Sequence, residues 1–148
     1  MNYVLDTNIL LIYLRDNQLA KLIDQQYQIL SYPNISIISV VSIGELKSLA
    51  LQNNWGEPKM KRLNEFVKQF LIADIHVETI IQRYAEIDAF SQGRLLGRTS
   101  NFTAKNMGKN DLWIAATASV LNAELLTTDK DFIHLDNEFL KLRYFNIK

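Results

Sequence analysis

Apolar and polar positions alternate along the chain in blocks of two kinds. Tyr3 to Leu5 reads as a short buried strand. After Asp6-Thr7-Asn8 comes an almost unbroken apolar run, Ile9 to Leu14, which can form a helix with Asp6 or Thr7 near its start. Tyr32-Pro33-Asn34 is a turn signal, and Ile35 to Ser39 is a second strand rich in β-branched residues. From Ser42, the positions Ile43, Leu46, Leu49 and Ala50 fit helical spacing. "NNWGEP" (53–58) is a break, and Leu63, Phe66, Val67 and Phe70 then mark one stripe of an amphipathic helix. Ala73 to Val77 predicts a third strand. Glu78 to about Leu96 predicts a longer helix through Ile80, Ile81, Tyr84 and Ile87, and 97–110 reads as loop. Asp111 to Asn122 is helical, Glu124 to Thr127 is a fourth strand, and a last strand is expected near Tyr144. Strands separated by helices argue for a parallel α/β sheet covered on both faces. No repeat, low-complexity tract or interdomain linker interrupts the pattern, and 148 residues suit one domain with a sizeable core.

Composition narrows the chemistry. At 48% hydrophobic and 22% charged residues, the chain has the profile of a globular protein rather than a disordered one. With no cysteine, a disulfide framework, a thiolate zinc site and a cysteine nucleophile are excluded. His76 and His134 lack the spacing of a zinc motif and read as structural or surface residues. The net charge of zero is silent on nucleic-acid or membrane partners. Ile9 to Leu14 is too short to span a bilayer, and no basic segment precedes it, so neither membrane insertion nor a signal peptide is read and a cytoplasmic location is expected.

Four carboxylates fall in unusual places. Asp6 ends the first predicted strand, and Asp129 in "LLTTDKDF" ends the fourth. In open parallel sheets ligands bind beyond the carboxyl ends of the strands, so the two acids share a crevice if their strands are neighbours. Asp111 in "NDLWIAATA" shares a helix face with Ile114, Ala115 and Ala118, a face that should be buried. Glu45 in "SIGELKSL" lies at the edge of the stripe formed by Ile43, Leu46 and Leu49. Each acid also has a local role available. Asp6 can cap a helix, Asp111 can favour a first turn capped by Asn110, Glu45 can be a rim residue, and Asp129 can form a turn. Together, four acids in one crevice would repel one another strongly unless a divalent cation offsets them. Oxygen ligands alone favour Mg²⁺ or Mn²⁺.

With these four motifs in order, the chain resembles PIN-domain ribonucleases, and among them the VapC toxins of prokaryotic toxin–antitoxin pairs. The resemblance covers nearly the whole chain. It implies a PIN-like three-layer α/β/α sandwich over residues 1–148, with a central, mainly parallel sheet of four to five strands. "LDTNILL" is similar to the first motif, with Asp6 as metal ligand and Thr7 and Asn8 as bracing residues. "SIGEL" resembles the second through Glu45, and "NDLWIAATA" the third through Asp111. "LLTTDKDF" resembles the fourth, where Asp129 and Asp131 compete. Asp129 directly follows the strand and is placed in the site, with Asp131 as the second choice and Thr127 as an auxiliary hydroxyl. The resemblance further implies that Asp6, Asp111, Asp129 and Glu45 hold Mg²⁺ or Mn²⁺ for hydrolysis of RNA to 5′-phosphate and 3′-hydroxyl ends, with Glu45 also orienting or deprotonating the attacking water.

Residues 93–109 carry Arg94, Arg98, Lys105 and Lys109 and no acid, a pattern that suits phosphate contacts and equally a solvated loop. Trp55 and Trp113 read as packing residues. The toxin resemblance implies a cognate antitoxin and a homodimer. Ile9 to Leu14 is apolar nearly all round, so Leu10, Tyr13 and Leu14 either line a groove for an apolar helix of that partner or lie buried inside the monomer. Rival readings are a non-catalytic PIN-like RNA-binding or scaffold protein and a metal-dependent DNA nuclease. A haloacid-dehalogenase-like phosphatase would want Asp at position 8, where Asn stands. A receiver domain would want an adjacent acid pair and a late-strand Lys.

Overall fold

The structure, a computed structural model, describes residues 1–15 and 18–147. Among the described residues five strands form one sheet: β1 (Asn2–Leu5), β2 (Ile35–Ser39), β3 (Leu71–Ala73), β4 (Glu124–Thr127) and β5 (Lys141–Tyr144). Their order is β3-β2-β1-β4-β5, and every neighbouring pair is parallel. Parallel pairing requires crossovers. These carry α1 (Thr7–Leu14) and α2 (Gln18–Tyr27), then α3 (Val40–Gln52) and α4 (Glu57–Val67), then α5 (Glu78–Ser91) and α6 (Lys109–Val120). A 3₁₀ segment, Lys130–Leu135, links β4 to β5.

Strand alternation sorts the core into two layers. Val4, Ile37, Leu125 and Leu142 pack with residues of α5 and α6, including Ile87, Phe90, Leu112 and Ile114. Tyr3, Leu5, Ile38 and Leu126 face the other way and pack with residues of α1 to α4, including Ile9, Ile23, Leu46 and Leu63. The result is the expected three-layer α/β/α sandwich. Ala115, Ala116 and Ala118 are fully buried, so small side chains let α6 lie close against its neighbours. From β1 the chain moves one way to β2 and β3. It then returns to place β4 on the other side of β1. The switch point of the sheet therefore lies between the carboxyl ends of β1 and β4. Among the described residues no helix is long and apolar enough to cross a membrane.

The pattern misplaces some boundaries. The third strand is Leu71–Ala73, not 73–77, because it pairs with Ile37–Ser39 of β2 and is then ended by Asp74. The Asp74 carboxylate accepts the His76 amide at 3.0 Å, closing a turn. Helix α5 stops at Ser91 rather than near Leu96. Gly93 has φ +72°, its N–H donates to the Phe90 carbonyl at 2.9 Å, and the Arg94 N–H donates to Ala89 at 2.8 Å. That is a Schellman ending, for which glycine is the favoured residue. Residues 18–27 carry no element in the pattern-based reading and form α2, whose Ala20 and Ile23 are buried. Leu10 lies wholly inside the core, because the first turns of α1 are wedged between the sheet and the neighbouring helices. It cannot line a partner groove, whereas Leu11, Tyr13 and Leu14 are half-buried.

Candidate active site

Asp6 leaves β1 at the switch point. Its own N–H donates to the Leu126 carbonyl at 3.0 Å, which fixes the strand end against β4. Its side chain is 4% exposed and caps α1: Oδ1 accepts the Thr7 N–H at 2.8 Å. Oδ2 accepts the Thr127 hydroxyl at 2.7 Å. That hydroxyl in turn accepts the Asp129 N–H at 2.9 Å. Thr127, fully buried at the end of β4, therefore binds the Asp129 turn to Asp6.

The Thr7 hydroxyl donates to Oε1 of Glu45 at 2.8 Å and shares a 3.0 Å hydrogen bond with the buried Ser42 hydroxyl. Ser42 stands three residues before Glu45 on α3, so both reach the same side of the helix. The sequence marks Ser42 only as the start of a helical pattern, not as a site residue. Its place one turn ahead of the acid on an otherwise apolar stretch was the available signal. Asn8, the neighbour of Thr7, is exposed. Successive helical side chains point about 100° apart, so Thr7 alone faces the crevice.

Asp111 lies in the first turn of α6, whose backbone N-cap is Gly108 rather than Asn110. Ile114, Ala115 and Ala118 on its face are fully buried, as their spacing predicts. Asp129 caps the 3₁₀ segment by accepting the Asp131 N–H at 2.9 Å. One carboxylate oxygen each from Asp111, Asp129 and Asp131 lie within 4.8 Å of one another. Both acids of the fourth motif thus reach Asp111. Asp129 is half-buried and Asp131 exposed. A cleft of about 460 Å³ beside Asp111 is lined by Glu45, Gly108, Lys109 and Asn110.

The electrostatics match the geometry. Burial pushes the Asp6 carboxyl up to about 6. Hydrogen bonds from Thr127 and Thr7 oppose this, and the charges of Asp129 and Glu45 add to it. Burial likewise pushes Asp111 up to about 7, followed by repulsion from Asp6, Asp129, Glu45 and Asp131. Among the described residues no lysine, arginine or histidine forms an ion pair with any of these acids. A cluster of carboxylates without thiolate, imidazole or counter-cation suits a hard divalent ion.

The basic loop is less uniform than its sequence. Arg98 pairs with Glu138 at 2.8 Å and lies over the Phe139 ring, 4.4 Å from its centroid, so it is committed to structure. Arg94, Lys105 and Lys109 are exposed, and Lys109 lines the cleft beside Asp111. His134 is structural, as expected: its Nε2 lies 2.7 Å from the Ser91 hydroxyl and its ring stacks on Phe90. His76 is on the surface.

A parallel sheet ordered in this way, with acids converging at its switch point, is the framework of an acid-site α/β/α domain. The PIN domain model matches residues 3–138, and the chain belongs to the PIN domain family. Among solved structures, it is similar to VapBC2 from Rickettsia felis bound to a DNA fragment from its promoter. That likeness has 25% identity and a TM-score of 0.75, and covers 99% of this chain and 100% of the other. It is also similar to VapBC-1 from nontypeable Haemophilus influenzae, at 28% identity and a TM-score of 0.72, covering 97% and 98% of the two chains. FitAcB from Neisseria gonorrhoeae, at 22% identity and a TM-score of 0.66 over 95% of each chain, shares the fold. No curated protein sequence matches significantly.

Proposed function

We propose that this chain is a divalent-metal-dependent endoribonuclease, the toxin of a VapBC-type toxin–antitoxin pair. One observation carries the nuclease reading: acids from four separate elements meet at the switch point, and among the described residues none of them is ion-paired. Asp6, Asp111 and Asp129 would hold Mg²⁺ or Mn²⁺, with the exposed Asp131 beside them and Glu45 across the cleft. When bound, the ion supplies a more acidic water and positive charge opposite the charge that develops on the scissile phosphate. The chain's own residues do the rest. Thr127 and the Thr7 amide fix both oxygens of Asp6, so the carboxylate is held without reorganisation. Thr7 holds Glu45 through Oε1, leaving Oε2 to orient the attacking water and accept its proton. Lys109, on the cleft, is placed to contact a substrate phosphate.

The test compares cleavage of single-stranded RNA, structured RNA and DNA with Mg²⁺, with Mn²⁺ and in EDTA. Metal-dependent cleavage of RNA is expected. Full activity in EDTA, or cleavage of DNA alone, overturns the reading. Within the site, Asp129→Ala should weaken metal binding more than Asp131→Ala. Asp129 is less exposed and is the one of the two whose charge reaches Asp6. Metal titration of both variants checks this, and a larger loss for Asp131→Ala reverses the assignment.

The toxin role is supported by the likeness to structures solved as VapBC complexes. A cognate antitoxin and a homodimer belong to the same proposal. Half-buried Leu11, Tyr13 and Leu14 on α1 offer apolar surface to a partner helix. Hydrogen exchange over residues 9–15 should slow when the antitoxin encoded beside this chain is added. Unchanged exchange in a demonstrated tight complex places the partner elsewhere.

A further inference from the structure

Three neighbouring clefts follow one another on the α3 side of the site. The cleft beside Asp111 shares Glu45 and Asn110 with a second, of about 520 Å³, lined also by Ser48, Leu49 and Gln52. The second shares Leu49 with a third, of about 310 Å³, which reaches Arg15, Asn53, Trp55 and Lys59 and is bordered by Leu11, one of the α1 residues proposed above to face the antitoxin. Their alignment has a simple origin. Glu45, Ser48, Leu49 and Gln52 stand at i, i+3, i+4 and i+7, so one face of α3 forms the floor. From Glu45 to Asn53 the helix axis rises about 12 Å. Helix α1 packs against α3, with Asp6 at its N-cap and Arg15 at its C-cap, so it runs from the acids to the pocket at the end of α3.

Charge changes along this groove. It begins at carboxylates, passes the polar Ser48 and Gln52, whose side chains hydrogen-bond each other at 2.9 Å, and ends at two cations. Among the described residues neither Arg15 nor Lys59 pairs with a carboxylate. Lys59 is also held in place. Its Nζ lies 3.9 Å from the centroid of the Trp55 ring, and Trp55 packs against the core. A fixed ammonium loses less freedom on meeting an anion than a free surface lysine does.

We propose that this groove seats the sugar-phosphate backbone of single-stranded RNA leading away from the scissile bond, with Arg15 and Lys59 as its far phosphate contacts. The identity of the strand rests on the nuclease reading, and the path rests on the groove alone. A strand whose scissile phosphate sits at the acids must leave the site, and this row of clefts leads from the carboxylates to positive charge. Trp55 serves as the support of Lys59.

Binding of an eight-nucleotide single-stranded RNA in EDTA, read by fluorescence anisotropy across a salt series, tests the path. Arg15→Gln and Lys59→Gln should each weaken binding about three- to ten-fold and reduce the salt slope by about 0.7, one phosphate contact for a single strand. Lys61→Gln, an exposed substitution on the same helix, should leave both unchanged. Wild-type affinity and slope in both Arg15→Gln and Lys59→Gln overturn the proposal. So does unchanged RNA affinity with weakened antitoxin binding, which assigns the pocket to the protein partner. If the wild type binds RNA through these residues but cleaves none with any divalent ion, the path stands and the nuclease reading falls.

Discussion

Replacing Asp111 with asparagine is expected to lower Mg²⁺- or Mn²⁺-dependent RNA cleavage by about 10²- to 10³-fold, with the fold retained. Asp111 is the acid on which the others converge, since the charges of Asp6, Asp129, Glu45 and Asp131 all act on it. It lies within 4.8 Å of two of them. Asparagine has nearly the same shape, and the fully buried Ile114, Ala115 and Ala118 that anchor this face of α6 are untouched. Loss of activity would therefore come from lost charge and lost ligation, not from a broken helix. Circular dichroism and a thermal melt establish the fold, and cleavage rates across a metal series establish the loss. Wild-type rates would remove Asp111 from the site.

The second large effect is on the stability of the metal-free protein. Asp6 titrates at about 6 in the fold against an ordinary 3.8, and Asp111 at about 7. Between those values the native state holds protons that the unfolded chain has released. Stability is therefore fully present below about pH 4 as far as these two groups are concerned, and it falls as pH rises through 6 and 7. Asp6→Asn removes a buried charge and should raise metal-free stability at pH 8 by about 1–3 kcal/mol, with a flatter pH dependence. The offset is that the new amide must donate to the Thr127 hydroxyl, which now donates to Asp6. Added Mg²⁺ should stabilise the wild type at pH 8 more than the variant. Chemical denaturation at pH 5 and pH 8, in EDTA and in Mg²⁺, measures all of this. An Asp6→Asn protein less stable than wild type in EDTA at pH 8 would mean that the capping hydrogen bonds outweigh the burial of charge.

The sequence by itself determined the element types and the identities of the acids. Period-two and period-3.6 apolar spacing is local, so β1, β2, β4 and α6 were legible from neighbours a few residues apart. Asp6, Glu45, Asp111 and Asp129 stood out because each interrupts or borders an apolar pattern. Where the pattern failed, the controlling contact was distant or an alternative ending intervened. The limits of β3 are set by its pairing with β2, and Gly93 ends α5 although Leu95 and Leu96 continue the apolar run. Leu10 and Tyr13 look alike in sequence, yet only packing decides that Leu10 is enclosed while Tyr13 stays half-open against Phe66. The same holds for the basic loop, where Arg98 is drawn away by Glu138, a residue far along the chain. The site itself was a tertiary decision. Sheet order puts β4 beside β1 and so brings Asp6 and Asp129 into electrostatic contact across more than a hundred residues of chain. Thr127, bonded to both ends of that junction, became readable as a brace only once the strands were paired. The groove from Glu45 to Lys59 was hidden for the same reason. One wall is a helix face the sequence spells out, but Arg15 and Lys59 meet at its end only because α1, α3 and α4 pack on one face of the sheet.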